Sequence, residues 1–499
     1  MVNLNSFART SLVAGIFTLF LIKDVATAQS TGTKLNSFQK CLVEAVNADQ
    51  ARVQFPNEPD YASKDVRPYN LNFQFTPAAI MYPSTSLEVA AIVSCASKNN
   101  VKVQARSGGH DMTNKALGHS DGNLVVDMKN FRKVEVKGTT GIATIGPGNT
   151  LKTLVEGLHT QGARYMPHGS SPSVGIGGHA TVGGLGYHSR ILGATLDVMT
   201  EAEIVIANGS IIRASKDKNS DLFWALRGAG ASFGIVTEFK FQTSPEPKEV
   251  IDFTYTISSK DIATLTNSFK AYHKIISNKT LEPKLSTVCV VQKNAVIISG
   301  SFFGSEAEYS NFDLGRQIPS ITNKTVTARL SWSAHMRNSF TFVDSVFPAN
   351  VYFDAKDTAI TYKQLPSNDT IDELFKHLQT GESGSDQWFA LMDFYGGAVN
   401  QKSSDASAFP HRDVAYFFSV YAASKGETSQ TIKSFVDRAI LTIQGNQADK
   451  FLSYAGISNM RTNKPQQKYW GTNLPRLETL KARFDPSDLF SSPQGVKPA

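Results

Sequence analysis

A chain of 499 residues with 41% apolar and 19% charged side chains has the composition of a soluble globular protein. That length exceeds what one hydrophobic core holds, so two or three domains are expected. The net charge of +7 has no Lys/Arg run behind it. The densest basic stretch, Lys129 to Lys137, alternates with apolar residues, which describes a solvated strand or loop and argues against a nucleic-acid partner.

At the N-terminus, Arg9 precedes an apolar run from Ser11 to Ile22, and Ala26-Thr27-Ala28 offers a small-x-small cleavage site before Gln29. This pattern predicts a secretory signal over residues 1–28. The run is too short to span a bilayer, and no later stretch reaches transmembrane length. Export makes the three cysteines informative, because two of them should pair in an oxidising compartment. Cys41 lies in an amphipathic helical segment with Phe38, Leu42 and Ala45, and Cys95 in another with Val89, Ile92, Val93 and Ala96. Cys289, in LSTVCVVQ, reads as a buried strand thiol. Sequons at Asn208, Asn278, Asn323 and Asn368 fit a secreted glycoprotein.

From Thr76 to about Ser244, short apolar runs (VKVQAR, NLVVDM, GIATIG, EAEIVIANG, GIVTEFKF) alternate with glycine-rich turns and a few helical stretches. This predicts an α+β nucleotide-binding region. After Pro247 the glycine loops stop. Residues 250–450 mix strands (VIDFTYTI, AVIISGSFFG, VAYFFSVY) with amphipathic helices at Ile371 to Leu378 and Thr431 to Ile443, which predicts an antiparallel sheet covered by helices. The last fifty residues carry KYWGTNLPRLETLKARFDPSDLF. The predicted layout is therefore an N-terminal segment at 29–75, a cofactor domain at 76–246, a substrate domain at 247–450 and a returning segment at 451–499.

Two glycine-rich loops dominate the first half: RSGGHD (Arg106 to Asp111) and HGSSPSVGIGGHATVGGLG (His168 to Gly186). A Rossmann reading is tested on GAGASFG at Gly228 to Gly234, and it fails. The spacing is GxGxxxG, the motif follows the helical stretch DLFWALR, and no acidic residue closes a strand about twenty residues on. RSGGH instead follows a predicted strand, so its glycines let the backbone turn and approach a planar ligand or a pyrophosphate. The second loop has glycines at 175, 177, 178, 183, 184 and 186, more than turns require.

Both loops, GIVTEF at Gly234 to Phe239 and the WGTN segment together resemble the FAD-linked oxidase family that includes vanillyl-alcohol oxidases, berberine-bridge enzymes and fungal oligosaccharide oxidases. The resemblance covers nearly all of the mature chain. It implies an α+β fold: a two-subdomain PCMH-type FAD-binding domain plus a substrate domain with an antiparallel sheet covered by helices. It also implies a Cys41–Cys95 bridge and FAD carried covalently on His110. By the same resemblance the cofactor meets Arg106, Ser107, Gly108, Gly109 and Asp111 in the first loop. In the second it meets Gly177, Gly178, Gly183, Gly184 and Gly186. Ile235 and Val236 offer backbone contacts on the adenine side, and Asn473 lies near the isoalloxazine. Ser171 stands where many relatives place a Cys for a second flavin bond. An alcohol is a far weaker acid than a thiol of pKa about 8.5, so a single attachment is expected. Val174, by resemblance, faces the flavin carbon that reacts with O2, and a small residue there goes with oxidase behaviour.

On the substrate side the resemblance implies Tyr454, in FLSYAG, as the group that removes a proton, oriented by Asp393 in LMDFYGG. Relatives tend to show YxNYxD where this chain has Phe451 to Gly456, so several supporting groups are replaced. Met112, Val290, Leu391 and Ser419 fall where oligosaccharide oxidases carry sugar-binding polar or aromatic groups. Such a pocket would leave sugar hydroxyls unpaired at about 1–3 kcal/mol each. The expectation is a secreted FAD oxidase acting on a fairly hydrophobic small molecule, a secondary-metabolite intermediate, with O2 reduced to H2O2. The alternatives are a carbohydrate oxidase and a flavin-bearing secreted binding protein with little turnover. Nothing in the sequence speaks to oligomeric state.

Overall fold

The computed structural model describes residues 35–346 and 350–499. The expected signal segment, 1–28, lies outside the described residues. Ser37–Ala499 forms one compact unit. Among the described residues no helix is long and apolar enough to cross a membrane.

The unit begins with helix α1 (Ser37–Ala45), tied to helix α2 (Ser86–Lys98) by the Cys41–Cys95 disulfide, with Cα atoms 5.9 Å apart. The Thr85 hydroxyl caps α2 by accepting the Glu88 N–H, which satisfies a first-turn amide that has no intrahelical partner. Around these helices lies a sheet of β1 (Val53–Gln54), β2 (Ala79–Met81), β3 (Val103–Arg106) and β4 (Leu124–Asp127). Its order is β1-β2-β4-β3, with β2, β4 and β3 parallel. Parallel strands covered on both faces read as unbroken apolar runs, and β4 (LVVD) is buried throughout.

A second sheet uses β5 (Val134–Lys137), β6 (Ile142–Ile145), β8 (Met199–Val205), β9 (Ile211–Ser215) and β10 (Ile235–Gln242). It is antiparallel, in the order β5-β6-β10-β8-β9. The short β7 (Arg164–Tyr165) pairs instead with β11 (Ser244–Pro245). Helix α3 (Leu151–Thr160) packs Leu151, Leu154 and Leu158 into this sheet's core, and the short helix α4 (Ile176–Val182) carries the second glycine loop past it. GAGASFG lies between the helix Ser220–Ala229 and β10, the reverse of the strand-to-helix order that a Rossmann loop needs.

The third sheet comprises β12 (Val250–Ser258), β13 (Leu285–Gln292), β14 (Ala295–Phe302), β15 (Asn323–Arg329), β16 (Tyr352–Thr361), β17 (Gln387–Phe394) and β18 (Val414–Ser424). The order is β15-β12-β14-β13-β17-β18-β16, antiparallel at every pairing. Strand alternation sends one set of side chains to each face. Cys289, Met392, Phe418 and Ile360 meet the helices Ile262–Ile276, Asn368–Thr380 and Gln430–Gln444 in the largest core. Val290, Leu391 and Tyr421 point the other way, into a separate apolar cluster. Cys289 is the free thiol of this sheet, and burial raises its pKa well above the ordinary range.

Register places two rows abreast on that second face. Val290, Leu391, Ser419 and Asp357 form one row, and Val288, Asp393, Phe417 and Ala359 the next. The sequon residues Asn208, Asn278, Asn323 and Asn368 are all exposed.

Candidate active site

Between the glycine loops and the open face of the third sheet lies a cavity of about 410 Å³. Gln104, Gly178, Gly230 and Gly495 line one end, and Val290, Leu391 and Tyr421 the other.

The glycines of the two loops are explained by closeness. A Cβ on Gly108 would sit 2.4 Å from the Gly175 nitrogen, and one on Gly175 would sit 2.0 Å from the Gly108 nitrogen. The loops therefore abut backbone to backbone. Ser107 stitches them, donating to the Pro147 carbonyl at 2.5 Å and accepting the Gly177 N–H at 3.3 Å. Gly178 differs: it lines the cavity, and nothing lies within 4 Å of where its Cβ would stand. A side chain there would fill the channel.

His110 follows β3 and faces the cavity, its ring 4.0 Å from that of Tyr69. The Ser171 hydroxyl is 3.4 Å from its Nε2. Burial pushes the imidazole pKa down to about 4, so the ring is neutral and nucleophilic at neutral pH. Asp111 accepts the Thr113 and Lys115 amides and faces the Lys115 ammonium at 3.3 Å. Burial opposes its charge, but Lys115 and these donors hold the carboxyl below its usual range. Asp111 thus fixes the turn that presents His110. Val174 is half-buried on the cavity wall, as is Met112.

Several residues expected at the cofactor lie off the cavity wall. Arg106 turns away from the cavity, with Nε 2.7 Å from Asp127 Oδ2 and Nη1 donating to the Val66 carbonyl, because a buried guanidinium needs a carboxylate. The Asn473 amide donates to the carbonyls of Ser404 and Ser407, which ties down a loop and keeps it off the cavity wall. Ile235 is fully buried at the start of β10, while its neighbour Val236 reaches the wall. Gly183 and Gly184 contact Tyr454 and do not line the cavity. Ser419 is buried with an unpartnered hydroxyl and also lies off the wall.

Tyr454 and Asp393 both line the cavity. Burial pushes the Asp393 carboxyl up to about 7. Burial also raises Tyr454 to about 12; the Gly184 N–H opposes this and the Asp357 charge adds to it. Among the described residues no direct hydrogen bond joins Asp393 to Tyr454. The Tyr454 hydroxyl accepts the Gly184 N–H at 3.1 Å, and the carboxylate bonded to this residue is Asp357, which accepts its backbone N–H at 2.7 Å.

Sequence reasoning missed five tyrosines on the wall: Tyr69, Tyr187, Tyr395, Tyr421 and Tyr469. They come from five separate segments; Tyr187 next to Gly186, Tyr395 two residues after Asp393 and Tyr469 next to WGTN had a local signal, and Tyr69 and Tyr421 had none.

Comparison with known proteins agrees with this geometry. The FAD binding domain family matches residues 77–215, and the berberine and berberine-like family matches residues 446–497. The FAD-linked oxidoreductase sorD of Penicillium rubens is 35% identical over 470 residues, covering 93% of this chain and 99% of that protein. The chain belongs to the berberine-bridge-like FAD-linked oxidoreductases. Another member, a chitooligosaccharide oxidase of Gibberella zeae, is 31% identical over 496 residues, 96% of this chain and 98% of that protein. Among solved structures, a chitooligosaccharide oxidase superposes with a TM-score of 0.84 at 29% identity, covering 93% of this chain and all of that one. The structure described as that of the 6-S-cysteinyl, 8α-N1-histidyl FAD in glucooligosaccharide oxidase from Acremonium strictum matches with a TM-score of 0.83 at 28% identity. This member of the family is thus an FAD-dependent oxidoreductase. Its residues fit the cofactor: the abutting loops and the open Gly178 edge leave a channel at backbone contact distance, as a flat ring and a phosphate chain require.

Proposed function

We propose that this protein is a secreted, glycosylated oxidase that carries FAD on His110 alone and oxidises a fairly hydrophobic small molecule of secondary metabolism, with O2 as acceptor. The observation that carries the substrate class is the packing of Met112, Val290 and Leu391 into one apolar cluster with Tyr69, Phe353, Phe389 and Tyr421. A sugar entering that end would exchange hydration for apolar walls, whereas a hydrophobic metabolite gains about 25 cal/mol per Å² buried.

FAD, when bound, would supply two-electron acceptor chemistry with O2 as the final oxidant and H2O2 as its product. The chain's own residues do the rest. His110, neutral through burial, tethers the cofactor, and the Ser171 hydroxyl steadies its ring without offering a thiolate. Tyr454, once ionised to the phenolate with the Gly184 N–H on its oxygen, would take the proton that leaves the substrate and return to the neutral phenol. Asp393, with its carboxyl near 7, accepts a hydrogen bond from a substrate hydroxyl. Val174 keeps the wall beside the cofactor small enough for O2.

A second reading, an oligosaccharide oxidase, is favoured by the chitooligosaccharide oxidase at 31% identity and by the tyrosine hydroxyls on the wall. The test is a peroxide assay with a chitooligosaccharide and xylooligosaccharide panel beside an organic extract of the source organism. The proposal expects peroxide from the extract and none from the sugars; the reverse result overturns it.

A further inference from the structure

Tyr454 is gripped at both ends by groups that touch little else in the cavity. A Cβ on Gly183 would lie 2.9 Å from the Tyr454 Cε2 and 3.0 Å from its hydroxyl oxygen, so the phenol ring occupies the space that a side chain would take. Gly184, at φ +81°, presents its N–H to that hydroxyl at 3.1 Å. Its own missing Cβ would fall 2.2 Å from Thr195 Oγ1. The carbonyl of the same peptide, on Gly183, accepts the Leu196 N–H at 3.1 Å, and the Gly184 carbonyl accepts the Thr195 N–H at 2.8 Å, so the peptide that carries the donor is held from both sides. At the other end Asp357, on β16 and 3% exposed, accepts the Tyr454 N–H at 2.7 Å. Phe417 and Phe409 enclose the ring, with centroids 5.5 and 6.3 Å away.

We propose that Gly183, Gly184 and Asp357 are positioning residues for Tyr454: the glycines seat its ring and supply a backbone donor to its oxygen, and Asp357 anchors its main chain. The double glycine near the end of the second loop then serves the tyrosine and not the cofactor's phosphates. A hydrogen bond to an ionised acceptor is roughly twice as strong as one to a neutral acceptor, so the Gly184 N–H favours the phenolate. It acts as a fixed donor that holds Tyr454 in the ionised form able to take a proton. The catalytic meaning of this socket rests on the reading of Tyr454 as the proton acceptor.

The test is fluorine NMR of the holoprotein with 3-fluorotyrosine installed at position 454, titrated with pH. Fluorine brings the phenol's ionisation into a range in which the protein stays folded. Gly183→Ala, which drives the ring off the Gly184 N–H, should move the titration step up by about one pH unit, a tenfold change in the ionisation equilibrium. If Gly183→Ala does not load FAD, Asp357→Ala and Asp357→Asn decide the matter, since both remove the charge and only Asn keeps an acceptor for the Tyr454 N–H. The step in Asp357→Asn should then lie about one unit below that in Asp357→Ala. An unmoved step in Gly183→Ala, or identical titrations of the two Asp357 variants, overturns the proposal. Tyr454→Phe, assayed by anaerobic flavin bleaching with an active extract, tests the proton-acceptor reading separately, and either claim can fail without the other.

Discussion

The Ser171 hydroxyl lies 3.4 Å from Nε2 of His110 across the junction of two glycine loops. It is near enough to steady the imidazole, and on the proposed attachment through His110 an alcohol here would leave that bond single where a cysteine could add a second. The loops meet because Gly108 and Gly175 leave no room for side chains between them.

His110 is one of seven imidazoles whose pKa burial lowers, with His119, His168, His179, His188, His273 and His411. Each folded-state pKa lies below the ordinary 6.5, so the unfolded chain binds more protons in that window. Their contribution is fully present above pH 6.5 and is lost as pH falls towards about 4. Asp354, Asp357 and Asp393, with raised carboxyls, run the other way but are fewer. Urea midpoints should therefore fall steadily over that range. His188→Phe should flatten the fall, because both ring nitrogens of His188 are buried without a partner. A midpoint that rises on acidification contradicts this.

Leu391 is 5% exposed and stands abreast of Val290 on the substrate face. Leu391→Ala removes apolar contact worth about 1.5–3 kcal/mol, which corresponds to a roughly 10- to 150-fold weaker half-saturation for anaerobic bleaching by the active extract fraction. FAD content should not change. Unaltered half-saturation would place the substrate elsewhere.

Val174→Leu should slow reoxidation of the reduced protein by O2 while leaving its reduction unaffected. Stopped-flow traces of the two half-reactions separate the effects. Equal slowing of both would make Val174 a packing residue of the second-sheet core against which it lies.

Much of this site was legible where local chemistry fixes geometry. The family resemblance named Val290 and Leu391 and the apolar run around Cys289 read as a buried strand, while the faces they take follow from strand alternation within the folded sheet. The glycine loops were legible as places of close backbone approach. A motif, however, does not say which way each member turns. Arg106 sits in the same RSGGHD stretch as His110 yet faces Asp127, since a buried guanidinium is held where a carboxylate meets it. Ser419 fell in the expected row but lies off the wall beside Asp357. Asn473 answers to a loop from residues 404–408 that no sequence neighbour announces. The wall tyrosines converge only through tertiary packing, so no spacing rule could gather Tyr69 with Tyr421.

The most direct test of the account is peptide mass spectrometry of the acid-denatured protein. The account predicts a yellow precipitate and one FAD adduct, on the peptide that contains His110, with none on the Ser171 peptide. His110→Ala should release the colour into the supernatant, and Ser171→Ala should retain it. A colourless precipitate from the unaltered protein, or flavin carried on a peptide without His110, contradicts it.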